Sequence, residues 1–188
     1  MHVKQKAQPD LLERVQQWDL DALAEVYDFY APALYRYAWH HLGDSDQAQD
    51  IVAETFQRLL IALKQGRGPR DNLQAWLYRV AHNLITDLYR RQPALDPVPV
   101  DEELPLPGPD VSETLALQRI EAERTRQALR RLTPLQQQVI ILRFLEGWDL
   151  ESVARFLGRE TNAIKALQHR AMATLRSLLE EKEHVTQG

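Results

Sequence analysis

Between Gln92 and Asp110 the chain places Pro93, Pro97, Pro99, Pro105, Pro107 and Pro109, with Asp96, Asp101, Glu102, Glu103 and Asp110 among them. Proline fixes φ and lacks the backbone donor, so this stretch is neither a helix nor a central strand. The sequence predicts an extended polyproline-II-like tether, rising about 3.1 Å per residue and bridging on the order of 60 Å. It divides the 188 residues into 1–91, a tether at 92–113 and 114–188. Two small domains are expected, each with a modest core.

The formal charge of −4 conceals strong local blocks. Residues 10–57 carry ten acids against Arg14 and Arg36. In 58–91 the balance reverses, with seven bases against Asp71 and Asp87. The tether holds six acids and no base, whereas 125–179 hold nine bases and four acids. A polyanion responds to the local field, because salt screens beyond about 8–10 Å. Two basic blocks separated by an acidic tether are therefore compatible with nucleic acid despite the net negative charge.

Helical periodicity dominates on both sides of the tether, and no segment alternates long enough for a sheet. Asp19 or Asp21 can cap a helix bearing Leu23, Val26, Tyr27, Tyr30 and Leu34, with Pro32 expected to kink or break it. Gly43-Asp44-Ser45 stops that helix and caps the next, at about 46–64. Its apolar face is Ala48, Ile51, Val52, Thr55, Phe56, Leu59 and Leu63. The opposite face shows Asp46, Asp50, Glu54 and Gln57, an acidic stripe suited to a basic partner or simply to water. After the basic loop at 66–71, with Arg67 and Arg70, a third helix at about 72–91 buries Leu73, Trp76, Leu77, Val80, Ala81, Leu84, Ile85 and Leu88. Its expected exposed side carries Tyr78, Arg79, His82, Asn83, Thr86, Arg90 and Arg91. Rings that stack on bases at roughly 1–3 kcal/mol each, beside amides and guanidinium groups, suit single-stranded nucleic acid.

In the last third, Thr133-Pro134 opens a helix carrying Leu135, Val139, Ile140, Leu142, Arg143 and Leu145 as far as Gly147. Asp149 caps a short helix with Leu150, Val153, Ala154 and Leu157. Gly158 supplies a turn, and Thr161 or Asn162 caps a longer helix with Ile164, Leu167, Ala171, Leu175 and Leu178. Ala154, Gly158 and Ile164 stand at helix-turn-helix spacing: a small residue at the crossing, a tight turn and an apolar lock. The second helix offers Asn162, Lys165, Ala166, His169 and Arg170 to a major groove, where a bidentate base contact is worth about 1–3 kcal/mol. Arg155, Arg159 and Arg176 are better placed for phosphates.

Two runs, Asp50-Ile51-Val52-Ala53-Glu54-Thr55-Phe56-Gln57-Arg58-Leu59 and Ala75-Trp76-Leu77-Tyr78-Arg79-Val80-Ala81-His82-Asn83, resemble the second domain of bacterial RNA polymerase sigma factors of the extracytoplasmic-function (ECF) group of the sigma-70 family. The stretch from Leu132-Thr133-Pro134 through Leu157-Gly158 to Ile164-Lys165-Ala166-Leu167-Gln168-His169-Arg170-Ala171 resembles their fourth domain. The resemblance implies an all-α protein without enzymatic activity that binds core polymerase, reaches promoter DNA and helps open it. It further implies that Asp46, Asp50, Glu54 and Gln57 dock on the β′ clamp coiled coil, and that the fourth domain meets the β flap. By the same resemblance, Arg67, Arg70, Trp76, Tyr78, Arg79, His82 and Asn83 serve the −10 element. Arg155, Arg159, Thr161, Asn162, Lys165, Ala166, His169 and Arg170 serve the −35 element. The tether would thread near the polymerase active site and RNA exit channel, and an anti-sigma factor is an expected partner. Leu167-Gln168 stands where many members have Arg-Leu, and the 66–72 loop has no aromatic ring.

The remaining classes fit poorly. The chain has no cysteine, hence no disulfide framework, thiolate nucleophile or Cys-ligated zinc. There is no Gly-rich phosphate loop, His40-His41 has no carboxylate at ligand spacing, and no cofactor is expected. No apolar run is long enough to span a bilayer, and the N-terminal residues show no signal-peptide pattern, so a cytoplasmic protein without direct membrane insertion is expected. The rival reading is a conventional helix-turn-helix regulator with an α-helical dimerisation or effector domain, which would use palindromic half-sites.

Overall fold

A computed structural model of the chain describes residues 9–91 and 123–185. The expected tether at 92–113 lies outside the described residues. Every regular element described is helical: α1 (Pro9–Gln16), α2 (Leu20–Leu42), α3 (Ser45–Lys64), α4 (Leu73–Arg91), α5 (123–130), α6 (Pro134–Ile140), a π-turn (Ile141–Leu145), α7 (Leu150–Leu157) and α8 (Thr161–Val185). No described helix is long and apolar enough to cross a membrane.

The boundaries follow local chemistry. Asp19 is the N-cap of α2, its carboxylate accepting from the backbone N–H of Asp21 at 2.9 Å and Ala22 at 3.2 Å. Asp44 does the same for α3 with Asp46 and Gln47. Between them Gly43 takes φ 75°, and its N–H closes on the Trp39 carbonyl at 2.8 Å. In the second half, Thr133 and Gln136 form a reciprocal capping box around Pro134, and Asp149 caps α7 through the Ser152 N–H at 2.7 Å. Two boundaries depart from expectation. Helix α2 passes through Pro32 without a break, and both α3 and α4 pack against this helix. Thr161 and Asn162 already belong to α8, and the Glu160 carbonyl accepts from Ile164 N at 3.2 Å.

Helices α2, α3 and α4 pack against one another, and α1 leans on α2. All seven residues expected on the apolar face of α3 are buried. In the second half, α6 packs on α8 and α7 packs against α8. The buried apolar side chains of the two halves form one continuous cluster, running from Leu11 and Val15 through Leu34, Leu59 and Leu77 to Ile141, Leu142 and Ile164. Fully burying one such side chain contributes about 1.5–3 kcal/mol relative to exposing it, which makes this cluster the main source of cohesion.

Candidate nucleic-acid interface

On α3, Asp46, Asp50 and Gln57 are exposed and Glu54 is half-exposed, bonded to Arg58 at 2.8 Å. The spacing alone places them opposite the buried face. Beside this stripe a groove of about 660 Å³ runs between α2 and α3, lined by Tyr27, Pro32, Tyr35, Arg36, Gln49 and Ala53 among others.

Arg67 and Arg70 are exposed on the loop after α3, which is anchored where Gln16 Nε2 donates to the Pro69 carbonyl at 2.8 Å. Asn72 then accepts from Ala75 N at 2.9 Å and starts α4. Along α4, Arg79 and Asn83 are exposed and Trp76 is half-buried. The sequence reading fails at two neighbours. Tyr78, expected outside, is only 1% exposed, and His82 is half-buried. Tyr78 turns toward the second half of the chain, and His82 turns toward Tyr37 and His41 of α2, contacts no single-helix periodicity reveals.

That contact is a polar and aromatic seam. The Tyr78 hydroxyl donates to Glu146 at 2.7 Å, and Arg36 approaches the same carboxylate at 3.6 Å. The Tyr78 ring meets Trp148 edge-on at 5.0 Å, Trp148 meets Phe156 at 5.4 Å, and the Arg79 guanidinium sits 5.9 Å from the Phe156 ring. Deeper in, Gln138 Nε2 donates to the Tyr37 hydroxyl at 3.5 Å, and the same hydroxyl shares a hydrogen bond with His82 Nδ1 at 3.2 Å. At the far end of α2, Arg130 donates to the Leu42 carbonyl at 2.6 Å and Arg126 lies over Trp39. Two cations thus meet the carbonyl end of a helix, where the macrodipole favours them.

Burial tunes the titratable groups along this seam. His41 is pushed down to about 3 by desolvation and then by its neighbours His82 and His40. His40 falls to about 4 by desolvation and by the nearby Arg36 and Arg126 charges. His82 is lowered by burial. Glu146 moves the other way: desolvation raises it, and the Tyr78 bond and Arg36 only partly offset that.

The helix-turn-helix forms as the spacing predicts. Gly158 holds φ 61°, Ala154 is buried at the crossing, and Ile164 is fully buried. Asn162, Lys165, Ala166, His169 and Arg170 are all exposed on α8, with Thr161 half-exposed and Arg155, Arg159 and Arg176 exposed around them. Leu167 and Gln168 are half-buried, Leu167 packing on the core and Gln168 Oε1 accepting from Arg143 Nε at 3.5 Å. Leu167 therefore faces the core and Gln168 the π-turn, away from the exposed side chains of α8. Arg143 also donates to the Trp148 carbonyl and so ties the π-turn to the segment that precedes α7. The sequence reading overlooked Arg36, Tyr37, Gln137, Gln138, Glu146, Trp148 and Phe156. The one available signal was Gln137-Gln138 leading directly into the apolar run Val139–Leu142, since polar residues in a buried register need partners. Among the described residues no group of His, Cys, Asp or Glu could hold a metal ion.

A four-helix module with an acidic stripe, followed by a helix-turn-helix with a basic reading face, defines a helical DNA-binding protein of two modules. The family models for Sigma-70 region 2 and Sigma-70 region 4 match residues 26–94 and 128–177. The chain is 34% identical to the ECF RNA polymerase sigma factor BldN of Streptomyces coelicolor over 90% of its own length and 65% of that protein's length. It is 30% identical to the ECF RNA polymerase sigma factor SigL of Mycobacterium tuberculosis, covering 83% of this chain and 88% of SigL. It shares its fold with the sigma factor RpoE of Bartonella quintana, solved in complex with the anti-sigma factor NepR, at a TM-score of 0.61 and 24% identity over 84% of this chain and 96% of that one. The chain belongs to the ECF RNA polymerase sigma factors of the sigma-70 family.

Proposed function

We propose that this chain is an alternative sigma factor that binds core RNA polymerase, directs it to a class of promoters and helps open the duplex there. It acts in the cytoplasm, as a binding factor rather than an enzyme. In this reading the chain has three parts: a second sigma domain at 1–91, an acidic tether at 92–113 and a fourth sigma domain at 114–188. Asp46, Asp50, Glu54 and Gln57 dock on the β′ clamp coiled coil, while the fourth domain sits on the β flap. Arg67, Arg70, Trp76, Tyr78, Arg79, His82 and Asn83 serve the −10 element. Arg155, Arg159, Thr161, Asn162, Lys165, Ala166, His169 and Arg170 serve the −35 element. An anti-sigma factor is a further partner, by analogy with the RpoE–NepR complex. The observation that carries this reading is the pairing of both sigma regions with a reading face on α8 whose five groove-directed residues are all exposed.

Each module alone, through its basic block, should hold DNA weakly and with strong salt dependence, and polymerase supplies the geometry that lets both contacts form together. Run-off transcription with purified bacterial core polymerase tests the proposal: initiation from specific promoters is expected only when both components are present. Tight, sequence-specific protection by the free protein at palindromic half-sites would instead support a conventional regulator.

Two substitutions follow. Asn83→Ala should leave polymerase binding in a pull-down unchanged while lowering promoter opening, read by permanganate, about tenfold or more, the loss expected for one base-recognition contact. Lys165→Ala with Arg170→Ala should weaken −35 duplex binding and reduce the slope of log K against log salt by about 1–2. An unchanged slope removes these side chains from the interface.

A further inference from the structure

Trp18, in the turn between α1 and α2, adopts a conformation that its own side chain disfavours. Its φ is 62°, the one positive value at a non-glycine position among the described residues, and the residue is 43% exposed. A bulky residue in the left-handed region is strained, and such strain persists where the surroundings over-determine it, typically at functional positions. The surroundings here do so. Gln17 N donates to the Glu13 carbonyl, Trp18 N to Val15 and Asp19 N to Arg14, each at 3.1 Å. Arg14 Nε closes the turn on the Asp19 carboxylate at 2.8 Å, and Asp19 caps α2. These bonds fix the backbone and leave the indole face in solvent. The same turn stands against the loop that follows α3, because Gln16, two residues before Trp18, donates to the Pro69 carbonyl at 2.8 Å. That loop is itself seated: Arg67 N donates to the Ala62 carbonyl at 2.8 Å, and the Leu63 side chain fills the space where Gly68 would carry a β-carbon. Arg67 and Arg70 are exposed around this seat. The loop thus presents cations and no ring of its own, and Trp18 brings a ring to it from a different part of the chain.

We propose that Trp18 is a stacking residue for an unpaired base of the promoter strand held at the 66–72 loop. The proposal rests on the reading of that loop and α4 as the face that serves the −10 element. An indole is a broad π-surface, and every base has a face to lay on it, so the contact adds hold without reading sequence. Arg67 and Arg70 supply the phosphate contacts that keep the strand beside the ring. Asp19, the acid next to Trp18, is paired with Arg14 and so does not stand against the strand as a bare charge.

The test uses holoenzyme assembled from the full chain and bacterial core polymerase, on a promoter at which it starts RNA synthesis. Trp18→Ala should lower promoter opening, read by permanganate at limiting holoenzyme, about tenfold, the loss expected for one base stack. Trp18→Tyr keeps a ring and should restore most of the signal. Capture of core polymerase in a pull-down and binding to a −35 duplex should be unchanged in both variants. Trp18→Gly separates the ring from the fold. Glycine takes this backbone without strain, so the thermal midpoint should stay the same or rise while promoter opening falls as it does for Trp18→Ala. Equal opening by the parent and Trp18→Ala overturns the proposal. Asn83→Ala in the same assay then shows whether the −10 reading has failed with it: a deficit there leaves that reading standing. A lowered midpoint in Trp18→Gly makes the ring a packing residue, and weaker capture of core by Trp18→Ala makes it a polymerase contact. Either result also overturns the proposal.

Discussion

Ile164→Asp abolishes cooperative folding of the helix-turn-helix and, with it, transcription from every promoter that needs the −35 contact. Ile164 is fully buried where α8 meets α6 and α7. A carboxylate there has no cation within the apolar cluster of Val139, Ile141, Leu142 and Val153, so it must either ionise without a partner or take up a proton. Either outcome costs on the order of 4 kcal/mol or more, comparable with the whole stability of a unit this small. Hydrogen exchange should show α8 unprotected while α2 and α3, which pack on each other and do not touch α8 extensively, keep their protection. Lys165→Asp, one position along on the exposed face, supplies the contrast: folding unchanged, duplex binding reduced. Retained protection of α8 in Ile164→Asp would contradict the core assignment.

Acidification from about pH 7 to about pH 5 should destabilise the protein by roughly 2 kcal/mol through His41 alone, with a smaller addition from His40. The sign follows from the direction of the shifts. Both side chains are held neutral in the fold, down to about 3 for His41 and about 4 for His40, whereas the unfolded chain protonates them near 6.5. Below that value the unfolded state binds more protons and gains. His41 faces His40, His82, Tyr37 and Gln137, and His40 faces Arg36 and Arg126, so no carboxylate is at hand to welcome the new charge. Glu146 acts in the opposite direction, because its raised affinity for a proton favours the fold as pH falls. The histidines outnumber it, and the thermal midpoint should drop by about 5 °C or more. Calorimetry across this range checks the prediction. His41→Gln should flatten the dependence, and a midpoint that rises on acidification would reverse the assignment.

Much of this architecture is written locally. Caps at Asp19, Asp44, Thr133 and Asp149 and the glycine stops at Gly43 and Gly158 sit where side-chain chemistry places them, because each acts on backbone groups two or three residues away. The buried face of α3 and the exposed face of α8 were legible for the same reason: one helix and one period decide them. The seam was not, since Tyr78 and Glu146 are 68 residues apart and their meeting depends on how two finished units pack. The π-turn hid a second feature. A constant helical period places Leu145 with the core, but one extra residue in the turn rotates it outward, and Phe144 is 49% exposed beside it. Trp18, at φ 62° in the stop after α1, offered no signal either, because a left-handed tryptophan follows from its surroundings and not from its own preference.

Gly43 answers to two masters. Its left-handed backbone ends α2, and the space where a β-carbon would stand is filled by the Arg126 guanidinium, with Arg130 close behind. Asparagine tolerates that backbone and could inherit the first duty, but its side chain would evict the arginine and forfeit the second. Homologues that retain this juxtaposition are therefore confined to glycine at the corner. A lineage that had abandoned the folded-together arrangement would be at liberty to replace it, and substitution at this single corner would record that loss.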